Sequence, residues 1–246
     1  MLLAILSDIH ANREAFEAVL AAAEDAGAER FVLLGDIVGY GADPEWCAER
    51  AMALAETGAI VLRGNHDDAV GNPSVSMNPT ATLALEWTRR QLGGRTRAFL
   101  AALPFTAREG DCLFVHADAS APADWNYVLD TGDAGQHLAA CTAPVSFCGH
   151  VHKPALYCTA PGGKVTYFCP VAATPVPLLP QRRWLAVMGA VGQPRDGNPA
   201  AAFALYDTAS ATLRFLRAAY DVEKAAGKIR AAGLPASLAD RLFRGR

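Results

Sequence analysis

Five of the six histidines in this 246-residue chain lie in or beside short clusters of Asp, Asn and Gly. In order they read Ser7-Asp8-Ile9-His10, Gly35-Asp36, Gly64-Asn65-His66-Asp67, His116 and Gly149-His150-Val151-His152, and only His137 stands apart. Carboxylate and amide oxygens are hard ligands and imidazoles are borderline ones, so the set suits divalent cations, and its size suits two better than one. Each cluster follows a short apolar run of the kind that forms a buried parallel strand, which points to a metal site assembled from strand ends. Asp8 and His10 are two residues apart, as are His150 and His152. If strand geometry persists through them, each pair projects to one side and can clamp one ion.

Each cluster also has a plainer reading. Asp-x-His can be a turn whose carboxylate caps a helix, Gly-Asp alone says little, and a lone His116 after Leu113-Phe114-Val115 can be a satisfied core histidine. Gly-Asn-His-Asp and Gly-His-x-His are harder to explain by packing, because neighbouring polar residues after a buried strand each need a partner. The occurrence of all five in one order favours the metal site.

The elements that must position these loops follow from the hydrophobic pattern. Leu2 to Leu6 reads as a buried strand and Arg13 to Ala26 as an amphipathic helix ended by Gly27. A strand over 31–34, a helix over 44–57 with Asp43 as its cap, and a strand over 59–62 repeat the cycle. Such alternation indicates a parallel sheet wrapped by helices. Helices over 79–92 and 95–102 lead into a strand-rich region: 112–115, 145–148, 155–159, 164–169, 184–188, 201–206 and 213–217, with a helix over 132–141 among them. Helices over 222–232 and 237–243 close the chain. The Pro/Gly-rich stretches 170–180 and 191–199 are short and read as loops, so residues 1–246 are expected to form a single domain.

A hydrophobic content of 52% permits a sizeable core, and a formal charge of −3 gives no basic footprint for duplex nucleic acid. Metal cations would have to draw in an anionic substrate. Five apolar residues before Ser7 are too few for a signal-peptide core or a membrane span, which predicts a cytoplasmic protein with no membrane contact. The six cysteines show no C-x-x-C spacing and read as small hydrophobes. Cys158 and Cys169 flank Gly162-Gly163 and could face each other across a hairpin, but no disulfide is expected without a secretory context.

The ordered set D-x-H, G-D, G-N-H-D/E, H and G-H-x-H resembles the signature of the calcineurin-like metallophosphoesterase superfamily, and here it spans Asp8 to His152. The segment Val191 to Pro199, followed by Ala202 to Asp207, resembles the closing part of the bacterial branch of small phosphodiesterases related to diadenosine-tetraphosphatase-like enzymes. The resemblance implies an α/β fold, a four-layer α/β/β/α sandwich with two facing mixed sheets. It makes Asp8, His10 and His152 ligands of a first metal, Asn65, His116 and His150 ligands of a second, and Asp36 the bridge. His66 becomes the non-ligand histidine that contacts the phosphoryl group or protonates the leaving oxygen. Two such cations, about 3.5–4 Å apart, can activate a bridging water as hydroxide and stabilise the attacking and leaving oxygens. Mn, Fe, Zn, Co and Ni all suit mixed Asp/Asn/His ligation.

Three departures qualify the resemblance. Phosphoprotein phosphatases of the superfamily read G-D-x-x-D-R-G, whereas this chain reads Gly35-Asp36-Ile37-Val38-Gly39-Tyr40-Gly41. Ala117 and Asp118 follow His116 where many relatives have glycine, and Gly189-Ala190-Val191 replaces a small-polar sequence before Gly-Gln-Pro-Arg. Around the site, Asn12 has two readings, a phosphate contact or the cap of the next helix. Tyr40 lines the cleft or packs on the sheet edge. Arg63 and Arg195 could each supply a phosphate fork or be solvated. Trp125 and Tyr127 could stack on a base or an aromatic leaving group, Trp87 and Trp184 read as core, and His137 as a surface or boundary residue. The expected activity is metal-dependent hydrolysis of small phosphodiesters or nucleotides. The alternatives are a phosphomonoesterase, including a phosphoprotein phosphatase, and a non-catalytic metal-binding scaffold.

Overall fold

The computed structural model describes residues 1–160 and 162–246. Its amino-terminal half opens with β1 (Leu2–Leu6), α1 (Arg13–Asp25), β2 (Arg30–Leu33), α2 (Pro44–Glu56) and β3 (Ile60–Val61). β1 pairs in parallel with β2, and β2 with β3. α1 starts where the Asn12 side chain accepts a hydrogen bond from the Ala15 N–H, and it buries Phe16, Val19, Leu20 and Ala23 along one face. There follow α3 (Asn65–Gly71), α4 (Pro79–Gln91), α5 (Gly94–Ala102), β4 (Thr106–Glu109), β5 (Cys112–Val115) and α6 (Thr131–Ala140). The chain continues through β6 (Val145–Cys148), β7 (Ala155–Thr159), β8 (Val165–Phe168), β9 (Val176–Pro177), β10 (Trp184–Val187), β11 (Ala201–Asp207) and β12 (Thr212–Ala218), and ends with α7 (Val222–Ala231) and α8 (Ala236–Arg244).

Two mixed six-stranded sheets result, in the orders β3-β2-β1-β11-β12-β9 and β4-β5-β6-β10-β7-β8. The period of two along each strand divides the core. In β1, Leu3 and Ile5 pack between the sheets with Phe114, Phe147 and Ala204, whereas Ala4 and Leu6 pack outward with Phe16 and Ala48 of the helices. Phe114 and Phe147 stack at 5.5 Å in the inner layer, and each buried ring contributes about 1.5–3 kcal/mol. Behind the second sheet, Ala134 and Leu138 of α6 cover Val115, Cys148 and Leu185. The order of layers is therefore α/β/β/α, as the family resemblance implied. A further cluster joins α4, α7 and α8 over Tyr40. Among the described residues, no helix is long and apolar enough to cross a membrane.

Three elements were not anticipated. α3 begins on Asn65 itself, and its seven residues carry too few apolar positions for a periodic signal; its first turn is closed when Asp67 accepts from the Gly64 N–H. β4 alternates exposed and half-buried positions at a sheet edge. β9 is a two-residue pairing with β12 inside the proline-rich stretch, at an edge where proline is tolerated. Other expectations are corrected. Asp43 occupies the cap position of α2 but makes no cap bond; its carboxylate binds Lys228 Nζ at 2.9 and 3.0 Å instead. His137 is fully buried, not at the surface. Cys158 lies opposite Thr166, not Cys169, and all six cysteines are free.

Candidate metal centre

The parallel strands β1, β2, β3, β5 and β6 all end beneath the same cleft, and the predicted ligands sit in the loops that follow them. They do not converge by strand periodicity. Asp8, His10, Asp36, His150 and His152 all adopt left-handed backbone with φ between 49° and 66°. Each such turn costs a non-glycine residue about 1–2 kcal/mol. The loops persist because backbone bonds cross-link them: Asp8 N–H donates to Gly35 O at 3.1 Å, His10 N–H to Asp36 O at 2.8 Å, and Gly149 N–H to His116 O at 2.8 Å. The clamp formed by each D-x-H or H-x-H pair is thus a product of strained turns. The extended-strand geometry expected for these pairs is absent.

Two groups of donor atoms result, Asp8/His10/Asp36/His152 and Asp36/His116/His150, each lying within 4.8 Å of one another and sharing Asp36. The hydrogen bonds fix the tautomers. His10 Nδ1 faces Val38 O at 3.3 Å, His152 Nδ1 faces Gln193 O at 2.7 Å, and His116 Nδ1 faces Leu34 O at 3.1 Å. A carbonyl only accepts, so each Nδ1 carries a proton and each ring turns its Nε2 inward, the atom that offers a lone pair to a cation once it is deprotonated. His10 Nε2 then stands 3.0 Å from His152 Nε2. Asp8 Oδ1 is 3.1 Å from His152 Nε2, and Asp36 Oδ2 is 3.6 and 3.5 Å from the Nε2 atoms of His10 and His116. Lone pairs and carboxylate oxygens facing each other at these distances repel unless a positive charge lies between them. The second group adds two buried atoms without hydrogen-bond partners, Asn65 Oδ1 and His116 Nε2. The two donor groups, which share Asp36, could therefore hold metal.

The remaining carboxylate oxygens position the loops. Asp36 Oδ1 accepts from the His66 N–H at 2.8 Å and Asp8 Oδ2 from the His150 N–H at 3.0 Å. Asp67, buried beside them, accepts from the Ile37, Val38 and Gly64 N–H groups and so staples the second loop to the third. Burial, reinforced by the Asp36 charge, pushes the Asp67 carboxyl up to about 7 despite those three donors. Burial pulls His150 down to about 3, with the charge of His116 adding to it. His116 moves the other way, to about 9, because the attraction of Asp36 overcomes burial; a positive charge is favoured at that point.

His66 borders the same cavity, and its ring sits between Tyr40, at 4.4 Å, and His10, at 4.8 Å. Its Nδ1 is buried without a partner. Gly39, at φ +91°, makes room for it, since a Cβ there would lie 2.3 Å from that nitrogen. Burial lowers His66 to about 4 even though Asp36 opposes the shift, so the ring is neutral at pH 7.

Of the other residues singled out, Tyr40 lines the cavity with Asn65, His66, Tyr127 and Arg195. Tyr127 stacks on His150 at 4.1 Å, and Trp125 meets His116 edge-on at 5.9 Å. Asn12 takes its capping role: besides Ala15 N–H, its amide is engaged with Gly192 O at 2.9 Å. The Arg63 guanidinium is committed to Leu103 O, Ala101 O and Asp68, which removes the free fork that a phosphate would need. Val191, Gly192 and Gln193 belong to the site without having been assigned a role from the sequence. Val191 and Gly192 donate to Ser7 O and Asp8 O at 2.9 Å, and a Cβ on Gly192 would fall 1.8 Å from Ile9 O. Their signal was the Gly-Gln-Pro-Arg sequence itself, in which glycine permits the close approach and Gln193 supplies the carbonyl that orients His152.

The chain matches the model of the calcineurin-like phosphoesterase superfamily domain over residues 1–211. It is 32% identical over 256 residues to an uncharacterized protein of Methanocaldococcus jannaschii, covering 100% of this chain and 98% of that one. The crystal structure of a metallophosphoesterase from Sphaerobacter thermophilus superposes with a TM-score of 0.88 at 37% identity, covering 100% of this chain and 99% of that one. A putative diadenosine tetraphosphatase shares the fold at a TM-score of 0.54 and 17% identity, with coverage of 89% and 94%.

Proposed function

Because the chain belongs to the calcineurin-like phosphoesterase superfamily, a family of metal-dependent hydrolases, we propose that it hydrolyses small phosphodiesters or nucleotides with two divalent cations. Residues 1–246 act as one domain in this reading. The observation that carries it is the pair of inward-facing donor sets sharing Asp36 Oδ2. Asp8, His10 and His152 would hold one cation and Asn65, His116 and His150 the other, with Asp36 common to both. Mn, Fe, Zn, Co and Ni all suit this mixture of oxygen and imidazole donors. When bound, the cations supply Lewis acidity: activation of water and compensation of charge on the phosphoryl, attacking and leaving oxygens.

The chain's own residues do the rest. His10, His116 and His152 keep their lone pairs aimed inward through backbone carbonyls, so no reorganisation is needed at the moment of reaction. His66, neutral in the resting site, is the proton source for the departing oxygen. An anionic phosphoryl group beside it raises its proton affinity, so the charged form is reached when substrate is present. Tyr40, Trp125 and Tyr127 form the apolar walls that exclude water and hold an aromatic or nucleoside substituent.

Substrate preference follows from Gly39 and Tyr40, which stand where the phosphoprotein-phosphatase pattern has Asp and Arg. The Gly35–Gly41 loop carries no guanidinium for the scissile group, and a bidentate fork best serves a dianionic monoester. A monoanionic diester with an apolar substituent suits the site better. In a competition assay under saturating Mn, kcat/KM for an aryl phosphodiester should exceed that for a phosphoserine peptide by at least about tenfold, about 1.4 kcal/mol. Preference for the peptide would overturn the diesterase reading and leave the family assignment intact.

A further inference from the structure

The cavity over the donor atoms holds about 100 Å³, room for a phosphoryl group and little more. Two wider openings border it and can take whatever else a substrate carries. One, of about 580 Å³, shares Asn65, Tyr127 and His150 with the cavity and is walled by Phe105 and Trp125, with Asp124 and the ion pair of Arg63 and Asp68 on its rim. The other, of about 680 Å³, shares Arg195 with the cavity and is lined by Lys153 and Arg246. Its one carboxylate, Asp196, is already ion-paired with Arg217. The first opening is aromatic, with charges that nearly balance, whereas the second is cationic.

Arg195 stands at the junction and is built into place. Its backbone N–H donates to His152 O at 3.2 Å, and its Nη2 donates to Oε1 of Gln193, a side chain only 1% exposed, at 3.0 Å. Its guanidinium lies 5.9 Å from the centre of the Tyr40 ring. Its Nε is buried and has no hydrogen-bond partner. A guanidinium fixed by a buried amide, with a donor still unused and no carboxylate bound, is arranged for an anionic ligand.

We propose that Arg195, with Lys153, forms an anion subsite that takes the phosphate next to the scissile one, so that the preferred substrates carry a chain of linked phosphates and not a single diester group. This rests on the phosphoesterase reading above. The two openings then orient the substrate, with an aromatic substituent on the Tyr127 side and the phosphate chain on the Arg195 side. Lys153, directly after the ligand candidate His152, is exposed and adds charge without fixing geometry.

The test compares the nitrophenyl esters of a nucleoside 5′-monophosphate and of the corresponding 5′-triphosphate, which share a leaving group and differ in the adjoining phosphates. The wild type should favour the triphosphate ester in kcat/KM by at least about tenfold. R195Q should bring that ratio to within about threefold of one, R195K should restore it only in part because an ammonium cannot fork, and the distant surface variant R90Q should leave it where it was. Calorimetric binding of inorganic tripolyphosphate and orthophosphate to the manganese-loaded protein reads the subsite without turnover: tripolyphosphate should bind at least about tenfold more weakly to R195Q, and orthophosphate should change much less. Equal loss for both anions, equal affinity of the wild type for both, or an ester ratio that survives R195Q would overturn the subsite. Failure of the loaded wild type to release nitrophenolate from either ester would instead reject the phosphoesterase reading, and the calorimetry would still decide the subsite.

Discussion

β1, β5 and β6 have entirely different chemistry at their two ends. At the amino ends, Leu3, Cys112 and Val145 line an apolar cavity of about 320 Å³ together with Leu178, Trp184 and Tyr206. At the carboxyl ends, a few residues further along, the chain turns through left-handed Asp8 and His150 and presents His116. Buried side-chain atoms without partners follow the same division. Among the described residues, five of the eleven such atoms, Ser7 Oγ, Asp8 Oδ1, Asn65 Oδ1, His66 Nδ1 and His116 Nε2, are at the carboxyl end, others such as those of Glu14 and Thr88 lie on helices, and none of the eleven belongs to the lining of the apolar cavity. The inner apolar layer supplies the stability that lets one rim of the sandwich hold strained turns and unpaired lone pairs.

That division is broken most sharply by substitutions that touch only one end. His66→Ala at the carboxyl rim should retain its metal and its melting temperature while kcat falls by roughly 10²–10⁴. The fall should be smaller for nitrophenyl esters, whose leaving group needs little protonation, than for alkyl esters. Equal losses for both, or loss of metal, would move His66 out of the proton-transfer role. Trp184→Ala at the opposite end should do the reverse. Removing a side chain buried among Leu3, Leu178 and Tyr206 should cost about 3–5 kcal/mol in denaturant unfolding, while metal content and turnover per folded molecule stay the same. A loss of turnover with unchanged stability would mean that the two ends are not separable.

His137 sharpens the comparison from between the two ends. Its Nδ1 accepts from the Ala119 N–H at 3.1 Å and so anchors the loop that runs from His116 to Tyr127. Burial holds it down to about 4, so the fold keeps the neutral ring. The unfolded chain, titrating near 6.5, binds the extra proton between pH 6.5 and 4, and stability conferred by the neutral ring is present above that window and lost as pH falls through it. The loss should be on the order of 3 kcal/mol, and urea unfolding of His137→Gln beside the wild type should show a shallower decline across that window. Parallel declines would assign the acid sensitivity to other groups.

The contrast between the ends also explains what the sequence could reveal. Buried strands such as Leu2–Leu6 and Val145–Cys148 are apolar runs bounded by polar loops, and α1 announces itself by Phe16, Val19 and Leu20 at helical spacing. The donor residues were legible because Asp, Asn and His have no packing purpose at a strand end. What held them was not legible. The tautomers depend on the carbonyls of Leu34, Val38 and Gln193, and backbone atoms leave no mark in residue types. Arg63 and Asn12 illustrate the opposite error, since a donor near a site in sequence is often consumed by its own neighbourhood, here Leu103, Ala101 and Gly192. The burial of His137 was hidden for a related reason: one backbone N–H satisfies the Nδ1 of a ring that composition alone would place at the surface, although its Nε2 is buried without a partner.

If Asp36 joins two cation sites, the stoichiometry of metal uptake will show it. Metal-free protein titrated with Mn²⁺, with free ion followed by electron paramagnetic resonance, should take up about two ions per chain. Asp36→Asn should weaken both sites together, whereas Asp8→Asn and His150→Asn should each weaken a different one. Saturation at one ion per chain, with the Asp8 and His150 variants losing that same ion, would mean a single site that Asp36 does not bridge.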